Sequence, residues 1–364
     1  MSEKIKLGEL GEVVSGSTPK TNIKDYWDGE ILWITPAEIQ EDDYYIADTQ
    51  RKITNLAVEK TNLKLLPKGT VLLSSRAPIG KVAICDNDMY CNQGFKNIIC
   101  SDRLENRYVY YFLKYNVEYI KSLGRGATFK EISKGIVENL EIPYIEKKEQ
   151  IEIANKLDKI TEILKIKKQQ IKQFDEIIKS QFVEMFENEK YPKRSLIDVC
   201  EELFAGGDVN KEHTSKERTD KYKYPIYTNG EKLDGLYGYT DIVRVNKEAV
   251  TISGRGTIGF SCIRKEPFYP AVRLIVAVPN KNIIDTIFLR QFIENKNYGG
   301  QGASIPQLTV PMIKNELIPI PPIELQNQFA DIVKQIDKQK FESVIKAEKE
   351  IEKIQKNIYY KWGR

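Results

Sequence analysis

The sequence predicts an α+β chain built as two similar α/β segments, each followed by one long helix. Three observations carry this. Four motifs recur in the same order in the two halves, short strand-length apolar runs precede helical ones in each half, and apolar residues recur at intervals of seven near the end of each half. At 364 residues, with 41% hydrophobic and 30% charged residues, the chain is long enough for two or three domains with cores of their own.

The repeats run as follows. Leu7-Gly-Glu-Leu-Gly-Glu-Val-Val-Ser-Gly16 is echoed by residues Leu196 to Gly206, and Gly69-Thr-Val-Leu-Leu-Ser-Ser-Arg76-Ala-Pro-Ile-Gly80 by Ala249-Val-Thr-Ile-Ser-Gly-Arg255-Gly-Thr-Ile-Gly259. Gly126-Ala-Thr-Phe-Lys-Glu-Ile132 is echoed by Gly302-Ala-Ser-Ile-Pro-Gln-Leu308. Ile142-Pro143 with Gln150 is matched by Ile320-Pro321 with Gln328. Loop insertions separate the copies.

Within each half, Val71–Leu73, Val82–Ile84, Val250–Ile252 and Leu274–Val278 read as strands, being short, apolar and rich in β-branched residues. Helical spacing appears at Tyr108–Leu123 and Ile283–Glu294. A long helix is expected from residue 146 to 186, about 60 Å at about 1.5 Å per residue. Its Leu157, Leu164, Ile171, Ile178 and Met185 stand seven apart, with Ile153, Ile160 and Phe174 at the complementary heptad position that Lys167 and Gln181 interrupt. A second long helix follows Pro322, with Val344, Ile351 and Ile358 seven apart. Such narrow seams need cover, either from each other or from another subunit.

Composition excludes much chemistry. His213 is the one histidine, so a two-histidine zinc site is impossible and any catalytic triad has a single candidate base. The five cysteines form no CxxC pair and read as reduced thiols. A net charge of +4 is too small for a uniformly basic coat, so a DNA-binding face would have to segregate its charge. The N-terminal residues lack a secretory pattern and no window has about 18 uninterrupted apolar residues, so a cytoplasmic chain without a membrane span is expected. Gly254-Arg-Gly-Thr-Ile-Gly259 fits GxGxxG, but strand-like residues follow it where a dinucleotide site needs a helix. There is no GxxxxGK[ST] loop, HExxH or Asn/Asp-Pro-Pro-Tyr/Phe tetrapeptide. The sequence reads as a chain without a reaction centre, metal or cofactor of its own.

The repeated segments instead carry side chains suited to nucleic acid. Arg76 and Arg255 occupy equivalent turns, from which a guanidinium can meet guanine O6 and N7, bind phosphate, or pair with a carboxylate. Asn92, Gln93 and Lys96 offer amide and ammonium groups, the amides suiting adenine N6 and N7 or capping a turn. Tyr227 and Asn229 precede Gly230, an Asn-Gly hairpin signal. Lys20, Lys81, Arg125, Arg244 and Arg273 are phosphate candidates. Thr35, Ser75 and Thr257, in the same motifs, complete the candidate DNA-contacting set.

At this point the sequence resembles a family. Ser15-Gly-Ser-Thr-Pro19 with Tyr26-Trp27, Trp33-Ile-Thr-Pro36, Ser74-Ser-Arg-Ala-Pro-Ile-Gly80, Asn92-Gln-Gly-Phe95 and the paired Ile-Pro-to-helix junctions are similar to the specificity subunit of type I restriction–modification systems. The second half departs at Gly254–Gly259 and at Pro270-Ala-Val-Arg273. The resemblance implies target recognition domains over 1–143 and 191–321, joined by long helices over 144–190 and 322–364. The helices would run antiparallel, as a coiled coil with pseudo-two-fold symmetry. It implies double-stranded DNA as ligand, read at a bipartite asymmetric site. It also implies two methylation subunits and motor–nuclease subunits as partners, with S-adenosylmethionine, ATP and magnesium used by those partners. A non-catalytic scaffold joining two protein partners, and an autonomous nuclease or methyltransferase, are the competing readings.

Overall fold

The computed structural model describes residues 3–126, 130–187, 191–209, 211–296, 298 and 307–362, with the side chains of residues 353 and 355–362 outside the described set. The chain divides into two compact units: Met1–Ile166 with Ala347–Arg364, and Lys167–Lys346.

The first unit runs β1 (Lys4–Lys6), α1 (Leu7–Leu10), β2 (Gly11–Ser15), β3 (Trp27–Ile34), β4 (Tyr45–Ile46), β5 (Lys52–Ile53), α2 (Asn55–Lys60), β6 (Val71–Leu73), β7 (Val82–Cys85), β8 (Tyr90–Cys91), β9 (Lys96–Cys100), α3 (Asn106–Tyr115), α4 (Val117–Ser122), α5 (Lys134–Glu138) and β10 (Glu141–Pro143), and continues into α6 (Lys147–Phe186). Its main sheet has the order β2-β9-β6-β7-β4, beside a β5-β3-β8 sheet and a β1-β10 pair. The helical stretch expected over Tyr108–Leu123 is two helices, because Asn116 leaves helical geometry (φ −99, ψ 15).

In the main sheet, side chains alternate between two cores. Val13, Val71, Leu73, Val82, Ile84 and Ile98 face α3 and Ile153 of α6, while Val14, Leu72, Ala83 and Cys85 face Ile34, Met89 and Phe95. Burial on both faces explains why these strands read as unbroken apolar runs rather than alternating ones.

The second unit runs β11 (Lys193–Ser195), β12 (Cys200–Ala205), β13 (Thr214–Ser215), β14 (Tyr224–Tyr227), β15 (Leu236–Thr240), β16 (Ala249–Ile252), β17 (Ser261–Arg264), β18 (Tyr269–Pro270), β19 (Ile275–Pro279), α7 (Thr286–Asn295), α8 (Val310–Ile313), β20 (Leu317–Pro319) and α9 (Ile323–Trp362). Its sheets are β12-β19-β16-β17, β13-β15-β14-β18 and the pair β11-β20. The alternation recurs: Val250, Ile252, Ile275 and Ala277 face α7 and the Phe182, Phe186 and Phe329 side chains of the long helices, and Ala249, Val276 and Val278 face Val245 and Phe268.

The five described cysteines are free; burial pushes the Cys91 thiol up to about 12, so it carries almost no thiolate near neutrality.

Each long helix is anchored by one buried glutamine. Gln150 accepts from the Glu105 N–H (2.9 Å) and donates to the carbonyls of Arg103 (3.0 Å) and Ile145 (2.9 Å). Gln326 accepts from the Asp285 N–H (2.9 Å) and donates to the carbonyls of Ile283 (3.1 Å) and Pro321 (2.8 Å). The glutamine equivalent to Gln150 is therefore Gln326, not Gln328. The strand equivalent to Ile142-Pro143 is Ile318-Pro319, since Ile142 pairs with Ile5 and Ile318 with Arg194. Ile-Pro occurs twice in succession, at 318–319 and 320–321, and the sequence alone cannot choose between them.

The expected seams are covered unevenly. Leu157 packs on the first unit's core and Ile178 is buried, whereas Leu164 and Ile171 are 54% and 38% exposed. The covered line along α6 passes instead through Ile160, Ile163, Lys167, Gln170, Phe174 and Ile178. The complementary heptad series Ile153, Ile160, Lys167, Phe174 and Gln181 is covered throughout, its two polar members included, while the Leu157 series is covered only toward the two ends of the helix. On α9 Val344 and Ile351 are half-buried, and the Ile358 side chain lies outside the described residues. Most of the repeat Gly302–Leu308, and Ala127–Phe129 of its counterpart, also fall outside them.

Replacing Gln326 by Leu should lower stability by about 1–3 kcal/mol, because three buried backbone groups lose their partner. Gln328→Leu, at an exposed position, should stay within about 0.5 kcal/mol. Urea unfolding midpoints of the two variants check this; equal effects would refute the two-residue register.

Candidate nucleic-acid interface

In the first unit, the loop from Ser74 to Gly80 joins β6 to its antiparallel neighbour β7. The Ser74 N–H donates to the Lys81 carbonyl (2.9 Å) and the Gly80 N–H to the Ser74 carbonyl (3.0 Å). Gly80 sits at φ 94, a left-handed conformation that glycine adopts without steric cost. The pinched loop carries Ser75 and Arg76. Ser75 is strapped on both sides: its N–H donates to the Gly94 carbonyl (2.7 Å) and its carbonyl accepts from the Ile132 N–H (3.1 Å).

Glu131 gathers the charged groups here. Its Oε2 lies 3.5 Å from Nη1 of Arg76 and its Oε1 3.2 Å from Nζ of Lys96, while its backbone exchanges two hydrogen bonds with Arg125 (3.0 and 2.9 Å). Lys96 is 7% exposed and also reaches Oγ of Ser75 (3.3 Å), so it faces the interior while Arg76 and Arg125 keep solvent access.

The amide candidates divide. Asn92 Oδ1 accepts from the Gly94 N–H (2.8 Å), an Asx turn that presents the next residues. Gln93 is exposed and takes a hydrogen bond from Thr18. Thr35 caps its own turn through Glu38 (2.8 and 2.9 Å), and Lys81 Nζ donates to the Pro36 carbonyl (2.9 Å). Lys20 is exposed, its carbonyl accepting from Trp27 Nε1 (3.3 Å).

The second unit builds the same loop from different residues. The Ser253 N–H donates to the Phe260 carbonyl (2.8 Å) and the Gly259 N–H to the Ser253 carbonyl (2.9 Å), and the Gly254 carbonyl accepts from the Leu308 N–H (2.8 Å). Gly259 has φ 87. The GxGxxG residues thus turn one strand into an antiparallel neighbour, β17, and no helix follows. Arg255 donates through Nε (3.2 Å) and Nη2 (2.9 Å) to Oε1 of Gln307, and Arg273 through Nη1 (3.4 Å) to the same oxygen.

Asn229 works inward. Its Oδ1 accepts from the Gly254 N–H (2.7 Å) and its Nδ2 donates to the Val272 carbonyl (2.6 Å), so it clamps two loops together. Tyr227 packs against Phe268 (5.8 Å between centroids) under the Arg264 guanidinium (3.6 Å), and burial raises its phenol. Arg244 lies over Phe204 (4.4 Å) beside Glu202 (3.6 Å). Thr257 is exposed at the loop tip.

Ser75, Arg76, Lys96 and Arg125 thus come together around Glu131, and Arg255 and Arg273 around Gln307. Neither Glu131 nor Gln307 was a candidate on sequence alone, although each is the next-to-last residue of a repeated motif, just before Ile132 or Leu308. Exposed guanidinium groups on a pinned loop suit acceptor pairs on a base edge or phosphate. His213 pairs with Asp241 (2.9 Å). Among the described residues no group of three His, Cys, Asp or Glu side chains could hold a metal, and no helix is long and apolar enough to cross a membrane.

The type I restriction modification DNA specificity domain matches this chain twice, at residues 2–174 and 188–353. The MjaIX specificity subunit of a type I restriction enzyme from Methanocaldococcus jannaschii is 30% identical over 391 residues, covering 96% of this chain and 89% of that protein. The EcoprrI specificity subunit from Escherichia coli is 23% identical over 92% of this chain and 87% of its own. The S subunit of a type I restriction–modification system from M. genitalium has the same fold, with a TM-score of 0.57 at 19% identity over 100% of this chain and 96% of that one. Two matching domains and a relative alike across nearly the whole length place this chain in the type I restriction–modification specificity family, as a DNA-recognition subunit that is not itself an enzyme.

Proposed function

We propose that each unit reads one part of a bipartite, asymmetric DNA site, and that the two long helices pair antiparallel to set the distance between the parts. The observation that carries this reading is the twice-built loop. Arg76 and Arg255 stand at the same place in the same hydrogen-bonded turn, but with different neighbours, so the two copies can prefer different bases. A dimeric reader spaces its half-sites by about 34–36 Å; one chain with two readers and a helical spacer reproduces that arrangement with unlike halves.

Helix pairing is supported within each unit. In the first, Lys159 of α6 pairs with Glu350 of α9 (3.4 Å). In the second, Lys167 donates to Ser343 (2.9 Å) and Asp175 pairs with Lys340 (2.6 Å), so numbers rise along one helix as they fall along the other. The exposed Leu164, Ile171 and Phe341 leave apolar surface on these helices for the methylation subunits. In this reading adenine-N6 methylation with S-adenosylmethionine, and ATP- and magnesium-dependent translocation and cleavage, belong to partner subunits, and the assembly works on DNA in the cytoplasm. A protein-only scaffold would bind no duplex in a salt-dependent way, whereas phosphate contacts impose a steep salt slope.

Methylation sequencing of cells carrying this chain with its methylation subunit gives the recognised motif. Exchanging residues 1–143 for those of a relative should change one half of that motif and leave the other intact; a change in both halves would refute the one-unit, one-half assignment. Arg76→Ala should cost about 1–3 kcal/mol of binding and relax base preference in one half only, read from competition between duplexes. Uniform weakening on all duplexes would instead make Arg76 a phosphate contact. Removing one heptad from both long helices shortens the spacer by about 10 Å, so the preferred gap between half-sites should shrink by about three base pairs; an unchanged gap would refute the ruler.

A further inference from the structure

We infer that Glu131 and Gln307 are equivalent positioning residues, and that the exchange of carboxylate for amide makes the Arg255–Arg273 pair the stronger DNA contact of the two units. The inference rests on the DNA-reading assignment above and adds to it what sets the strength of each reader.

Their equivalence follows from the backbone. Ile132 and Leu308, one residue on, each donate an N–H to the loop residue just before the arginine, Ser75 (3.1 Å) and Gly254 (2.8 Å). Ser133 and Thr309 then stand at the N-caps of the short helices α5 and α8. Glu131 and Gln307 are therefore delivered to the same side of the same loop.

Their charges differ, and so does what they hold. Glu131 gives one carboxylate oxygen to Arg76 and the other to Lys96, so two cations share one full negative charge. Gln307 gives one neutral oxygen to two guanidinium groups through three donors at 2.9–3.4 Å. An amide oxygen has two lone pairs, so this cluster is over-supplied with donors. Among the described residues neither Arg255 nor Arg273 has a carboxylate within ion-pair distance, and both are exposed. Two like charges converge on a neutral acceptor, and an incoming anionic or acceptor-rich surface relieves both their repulsion and their unmet donors. In the first unit the carboxylate already does this, and it repels phosphate.

The backbone of the second unit is bent to make the cluster. Val272 and Arg273 sit at φ 53 and 61, a region that residues with a Cβ rarely enter, and a β-branched one least of all. Their N–H groups are fixed on the carbonyls of Gly207 (2.8 Å) and Gly206 (3.0 Å). Gln93 and Gly94 stand at the corresponding places after β8, so the first unit has no arginine there.

The test uses the full chain with its methylation subunits and duplexes bearing its own methylated motif, with binding followed by anisotropy over a range of salt concentrations. Gln307→Glu should weaken binding about tenfold, the scale of losing one arginine contact, with the salt slope lowered by about one. Its loss of base preference should be confined to one half-site. Glu131→Gln should tighten binding and steepen the slope. Gln307→Ala, which removes the aim without adding charge, should relax base preference in the same half-site and leave the slope near its original value. Thermal melting separates these effects from folding. If the unsubstituted complex does not prefer its own motif, the DNA-reading assignment itself fails. If it does, and the three variants shift melting but leave affinity, slope and base preference as they were, the two residues are structural and the inference alone is overturned.

Discussion

The doubly buried sheet is the constraint on which the rest of the molecule depends. In β6 and β16, successive side chains go to opposite cores: Leu73 and Leu72 in the first unit, Val250 and Ala249 in the second. A slip of one residue would send each side chain into the wrong core, so the strands cannot slide. The loops that follow them, closed by Gly80 and Gly259 at positive φ, inherit that fixed register. The arginines on these loops stand on a backbone fixed by the packing behind it, and their guanidinium groups meet Glu131 or Gln307.

The long helices are tied to the same cores. Phe182, Phe186, Phe288 and Phe329 pack with centroids 4.8–5.6 Å apart, so α6 and α9 enter the hydrophobic core of the second unit and do not merely lie against it. In the first unit, Asp158 of α6 accepts hydrogen bonds from Tyr44 (2.5 Å) and Tyr111 (2.7 Å) and pairs with Arg107 (2.6 Å). One unit secures its helix by aromatic burial, worth about 1.5–3 kcal/mol for each fully buried side chain. The other uses a carboxylate ringed by phenols. In each, Gln150 or Gln326 fixes where the helix begins.

What could be read from the sequence follows from which residues have one possible job. The core strands were legible because unbroken β-branched runs between turn residues have few alternatives, and the motif order was legible because the same turns need the same glycines. The helix junction in the second half was not, since two consecutive Ile-Pro pairs offer two registers and only strand pairing chooses. The covered seam was not legible at Leu164 and Ile171 because the series that is covered carries the polar Lys167 and Gln181, while the exposed series is apolar throughout. Among site candidates, Arg76 and Arg255 stand on loops as expected, whereas Lys96 and Asn229 point inward. Side-chain chemistry suits a lysine or an asparagine to DNA and to a buried carboxylate or carbonyl alike, and only the fold decides. Glu131 and Gln307 were not legible because a single acidic or amide residue inside a short motif carries no pattern by itself.

At these loops the two units diverge without a change in the backbone bonds that close them. Ser74 and Ser253, Gly80 and Gly259, and Gln150 and Gln326 make the same backbone bonds in both copies, and changing any of them would disturb the register. Gly94 against Arg273, Gln93 against Val272 and Glu131 against Gln307 differ in charge or shape, and the Val272, Arg273 and Glu131 backbones are held by main-chain bonds that their side chains do not make. A scaffold of this kind tolerates exchange at its loop positions, because the sheet beneath holds the loop. Two copies in one chain can then differ at these loops while each keeps the same fold.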